Sequence, residues 1–138
     1  MINILSLSIM MLFTGCKSEN PTADSIVGKW VAKDGAVFQF SKEGTFTTQD
    51  LPKDKFLPFS EDFTESLFSE TGKWELKHDQ GRWIVSLYFE NSESLPGGCV
   101  TQIYIAGSKG IMENQPPWYL FFWEGEEGGS RYRFTKKE

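Results

Sequence analysis

The sequence predicts an all-β domain, an antiparallel meander of about seven or eight strands that closes into a barrel. Three observations predict it. From Ile26 onward, apolar and polar side chains alternate in one short run after another. Turn residues separate the runs, and the chain carries 13 glycines. Aromatic residues make up 15% of the 138 residues, with 12 Phe and 5 Trp, an apolar supply that suits one packed core and not a disordered chain. A sandwich is the other arrangement open to such strands. Closure is favoured because an open meander leaves two unpaired edges.

The elements follow in order. Residues 26–33 (Ile-Val-Gly-Lys-Trp-Val-Ala-Lys) form a first strand, and Asp34-Gly35 turns the chain. In residues 36–41, Phe38 and Phe40 share one face. After Lys42-Glu43-Gly44 comes a third strand, 45–49. Residues 51–70 break the pattern with Pro52, Pro58 and several charges. Ser60 suits a helix N-cap there, followed by Glu61 and Asp62 in the positively polarised first turn. Phe59, Phe63 and Leu67 then fall on one face, so a loop and short helix are expected over one barrel end or along its wall.

Strands resume at Thr71, with Trp74 and Leu76 inward. Asp79-Gln80-Gly81 turns, and Trp83, Val85, Leu87 and Phe89 line one face of 82–90. A polar loop over 91–98 leads to a strand over 99–106 and a turn over 107–110. Ile111-Met112 is expected to open a short pairing that Gln115-Pro116-Pro117 breaks. Residues 118–123 (Trp-Tyr-Leu-Phe-Phe-Trp) are apolar on both faces. Tyr119, Phe121 and Trp123 are therefore expected beneath the 50–70 segment, or else exposed as a contact patch. Residues 131–135 close the sheet with Tyr132 and Phe134 inward. Gly28-Lys29-Trp30 is echoed by Gly72-Lys73-Trp74, which suggests either two similar half-barrels or a favoured strand opening.

Ahead of the domain lies an apolar run, residues 4–13, too short for a bilayer core that needs about 20 residues. Its length suits the apolar region of a signal peptide. Phe13-Thr14-Gly15-Cys16 resembles the lipobox of bacterial lipoproteins, an apolar residue and small residues before the modified cysteine. That resemblance implies removal of residues 1–15, acyl chains such as palmitate on Cys16, and a tether over 16–25. Two features depart from the family pattern: Phe13 stands where Leu is usual, and Met1-Ile2-Asn3 has no Lys or Arg. Lys17 follows the cysteine in place of Asp, which by the same resemblance favours the outer membrane, facing the periplasm.

Gly28-x-Trp30, Phe38-x-Phe40 and Glu43-Gly44-Thr45-Phe46 resemble the lipocalin-like domains of small bacterial lipoproteins. The resemblance implies a barrel over 26–138 that Trp30 closes, with Arg131 or Arg133 packed on its ring. The 50–70 segment has no counterpart in a simple eight-stranded calyx.

No catalytic constellation emerges, and an enzyme is not expected. His78 is the one histidine, which excludes sites needing two, and no metal or cofactor is implied. Cys99 lacks an electropositive neighbourhood and reads as a small buried residue. Glu124, Glu126 and Glu127 read as a solvated acidic turn. The formal charge of −5 and the lack of a basic cluster disfavour nucleic acid. Two functions remain. One is a lipid-anchored binding protein holding a small hydrophobic ligand, with Trp83, Tyr88, Trp118 and Trp123 as contacts. The other is an envelope protein–protein interaction module of inhibitor or immunity type with a filled core, using an acidic or aromatic surface. A hollow interior would favour the first and a solid one the second.

Overall fold

The computed structural model describes residues 19–56, 67–93, 95–124 and 130–137. The expected signal peptide, Cys16, the helix expected from Ser60, and Glu126-Glu127 lie outside the described residues. In chain order the elements are α1 (Ala23–Ile26), β1 (Gly28–Ala32), β2 (Val37–Phe40), β3 (Thr45–Gln49), β4 (Leu51–Pro52), α2 (Lys53–Phe56), β5 (Leu67–Phe68), β6 (Thr71–Asp79), β7 (Arg82–Phe89), β8 (Cys99–Lys109), β9 (Gln115–Glu124) and β10 (Ser130–Lys137). Strands β1-β2-β3-β6-β7-β8-β9-β10 pair in that order, each antiparallel to the next, and β10 returns to β1 to close the barrel. Strands β4 and β5 pair only with each other. The expected antiparallel barrel is the fold observed.

Alternation sets the two faces. Trp30, Phe38, Phe40, Phe46, Val85, Leu87, Ile103, Leu120 and Phe134 point inward and are almost wholly shielded from solvent. Their rings contact one another: Phe38 and Phe40 stack at 5.4 Å, while Phe38 meets Phe134 edge to face at 5.1 Å and Phe46 meets Phe89 in the same way at 5.1 Å. Gly72 makes room for this packing. A Cβ there would stand 2.8 Å from the Phe46 ring and 2.2 Å from the Tyr88 carbonyl oxygen.

One barrel end, the α1 end, gathers α1, the turns β2–β3, β6–β7 and β8–β9, and the end of β10. Residues 22–26 were expected partly as tether and partly as strand. Instead Thr22 opens a helical turn, its N–H donating to Ser25 Oγ at 3.0 Å, and Ile26 is buried. The Trp30 indole N–H donates to the Ile26 carbonyl at 2.7 Å, which fastens α1 across the end. The cation over the Trp30 ring is Lys136, its Nζ 5.7 Å from the centroid, and that Nζ also donates to the Ser25 carbonyl at 3.0 Å. Arg131 and Arg133, expected on Trp30 from the lipocalin resemblance, lie elsewhere. They face outward from the first half of β10, whereas Lys136 lies directly opposite Trp30 in the ladder. The echoed Trp74 donates its indole N–H to the Ser41 carbonyl at 3.0 Å. Strands β1 and β6 run in opposite directions, so the echo marks two similar fastenings and not two half-barrels.

The other end, the flap end, is closed by β4, α2 and β5. Phe56 of α2 drops into the barrel, its ring 4.0 Å from Phe122 and 5.9 Å from Phe38. Leu67 was expected on the inner face of a helix. It lies in β5, half exposed, and Phe68 takes the buried place because a two-residue strand turns successive side chains to opposite sides. Thr48 ties the flap back: its N–H donates to the Glu70 carbonyl at 2.8 Å, and the Glu70 N–H donates to its Oγ1 at 2.8 Å. Pro116 and Pro117 were expected to interrupt a strand but lie inside β9. They occupy the irregular stretch opposite Gly107–Lys109, where the ladder register shifts. Ile111 and Met112 do not pair; they form the tip of the β8–β9 turn.

Candidate functional site

The outer face of β8–β10 carries a continuous aromatic and arginine surface. β-alternation puts Tyr119, Phe121 and Trp123 on the opposite side of β9 from Leu120 and Phe122. The pairing of β9 with its neighbours brings Tyr104, Arg131 and Arg133 beside them. Tyr104 stacks on Phe121 at 5.5 Å, and Phe121 meets Trp123 edge to face at 5.2 Å. The Arg131 guanidinium lies 4.5 Å from the Phe121 centroid and 5.0 Å from that of Trp123, while Arg133 covers Tyr119 at 4.5 Å.

Glu113, from the β8–β9 turn, completes the array. Its Oε2 accepts from Arg131 at 2.7 Å and from the Tyr119 hydroxyl at 3.1 Å. The Arg131 hydrogen bond, then that of Tyr119, hold the Glu113 carboxyl below its ordinary value. The pair is largely exposed, so it orients Arg131 more than it stabilises the fold. Tyr119 and Phe121 are thus buried by neighbouring strands' side chains. The described part of the 50–70 segment, expected as their cover, instead closes the barrel end, where Lys55 Nζ donates to Glu124 Oε1 at 2.7 Å on the side of β9 that Leu120 and Phe122 share. Trp123 keeps 39% of its surface exposed.

The residues expected to contact a ligand are divided by this arrangement. Trp83 lies at the α1 end, stacked on His78 at 4.4 Å. Trp118 packs half-buried against the core near the same end. Both border a cleft of about 650 Å³ whose other walls include Glu19–Pro21, Met112 and Trp123. Tyr88 lies apart from that cleft, on the outside of β7, and its hydroxyl accepts from Lys77 Nζ at 3.0 Å. Phe38, Phe40, Phe46, Leu87 and Phe134 do not line this cleft.

Sequence reasoning missed Glu113, Tyr104 and Lys136. Alternation with register was signal enough for Tyr104, which falls opposite Phe121. Glu113 was not accessible in that way, since its reach depends on a positive φ of 51° in an irregular turn. Lys136 lies beyond the strand limit of 135 that the last apolar residues suggest.

Other chemistry is sparse. Burial raises the Cys99 thiol above its ordinary value, which disfavours the thiolate. No cluster of three potential metal ligands occurs among the described residues, and no helix among them is long and apolar enough to cross a membrane. Comparison with family models, with curated proteins and with solved structures found no match to this chain.

Proposed function

We propose that this protein is an envelope interaction module, carried on acyl chains at Cys16, that engages a protein partner through the outer face of β8–β10. The observation that carries the reading is the filled interior. Rings from β2, β3, β7 and β10, with Phe56 as a plug, occupy the space a lipid-sized ligand would need. The outer face has the composition of an interface centre: a half-exposed Trp framed by Arg and Tyr, with the arginine held in place by Glu113. A second reading, a small apolar ligand, has one observation in its favour, the cleft beside Trp83 and Trp118.

The test is photocrosslinking in cells with the full chain. A photoreactive amino acid replaces Trp123 in one variant and Thr47 in another. Thr47 is exposed on β3, across the barrel from β9. A protein adduct of defined mass is expected at 123 and not at 47, and Arg131→Ala should weaken it. Equal labelling at both positions would overturn the reading. So would native mass spectra in which a small apolar molecule, and no protein, travels with the chain.

A further inference from the structure

We propose that the α1 end of the barrel rests on the bilayer that holds the anchor, with Ile111 and Met112 entering the lipid interface. The proposal rests on lipidation of Cys16 and adds to it an orientation and a second contact.

Three observations converge on that end. Ile111 and Met112 are 95% and 79% exposed at the tip of the β8–β9 turn, so an isoleucine and a methionine stand side by side, unburied by any described residue. The chain that leads to Cys16 arrives at the same place, since Glu19, Asn20 and Pro21 share a cleft with Met112, Glu113 and Asn114. Only two residues, Lys17 and Ser18, lie between Cys16 and Glu19, and the three chain steps fully extended span at most about 10 Å. A cysteine fixed at the lipid surface therefore holds Glu19, and the hydrophobic tip beside it, close to that surface.

Charge is arranged in the same sense. Lys29, Lys42, Lys109, Lys136 and Lys137 are exposed at or near the α1 end. Acidic Glu19, Asp24, Glu43, Asp79 and Glu113 interleave with them, so this end is mixed in sign. The flap end is more acidic: among the described residues Asp34, Asp50, Asp54, Glu70, Glu90 and Glu93 lie there or in its loops and outnumber Lys33, Lys53 and Lys55. An anionic bilayer repels that end and tolerates the other.

An apolar tip of this kind also suits a protein groove, so the experiment separates the two. A diazirine amino acid is placed at position 112, or at position 93 in the exposed loop of the flap end, in the full chain expressed in cells. The purified protein is analysed by mass, and the N-terminal peptide reports acylation of Cys16. The expected result is acylated Cys16 with a phospholipid adduct at 112 and none at 93. With the probe moved to Lys109, the double change Ile111→Ser and Met112→Ser should lose the lipid adduct while leaving the melting temperature unchanged. A protein adduct at 112, equal lipid labelling at 93, or no adduct at 112 in acylated protein would overturn the orientation while leaving the anchor intact. An unmodified Cys16 would overturn the anchor, and a bilayer contact would then stand only if the lipid adduct at 112 persisted.

Discussion

Tyr132 shows how much one hydroxyl can govern at the flap end. Its ring is buried against Phe56 and Phe134, yet its hydroxyl donates to Asp34 Oδ1 at 2.6 Å. Burial, then the bond to Asp34, push the phenol well above its ordinary value. The folded protein therefore holds this proton more tightly than the unfolded chain does. Below the ordinary tyrosine value of about 10 the contribution to stability is complete, and it is lost as pH rises beyond it because the unfolded chain ionises first. Urea unfolding midpoints measured at pH about 8 and about 11 should fall more steeply for the wild type than for Tyr132→Phe, which lacks the titrating group. The inward position of Tyr132 was legible from the alternation of 131–135. Its partner was not, because Asp34 reads as an ordinary hairpin residue until β1 and β10 are seen to be neighbours.

Among the elements, the strands were legible and the flap was not. Strand β3 has the expected limits because Phe46 and Thr48 alternate with polar neighbours and Gly44 ends the turn before it. Residues 51–70 carry a helical spacing of Phe59, Phe63 and Leu67, and a local period says nothing about which long-range contact claims a residue. The described aromatic contacts there belong to Phe56 and Phe68, drawn in by the open barrel end. Phe56→Ala should remove the plug and cost about 3–5 kcal/mol. Calorimetry should show the loss. If an apolar dye then binds inside the barrel, the plug is what keeps the interior closed to ligands. The outer face of β9 was half legible: its apolar character was plain, but its cover comes from Arg131 and Arg133, whose guanidinium planes lie over its rings.

At the scale of the molecule, sequential pairing made the topology legible, since each short turn permits only an antiparallel neighbour. Closure depends on the most distant pair of all, β1 with β10, and it sets Lys29 beside Lys137. The domain thus begins and ends at adjacent points on one rim, so its linear order is a choice and not a necessity. A circular permutant that joins residue 137 to residue 22 through a short glycine linker, so that α1 is kept, and opens between Gln80 and Gly81, both at positive φ in an exposed turn, should refold to the same circular-dichroism spectrum. By the same adjacency, a reporter fused after the last strand would emerge beside α1 and the start of β1, whereas one spliced into the exposed 91–93 loop at the opposite end would leave that rim unburdened.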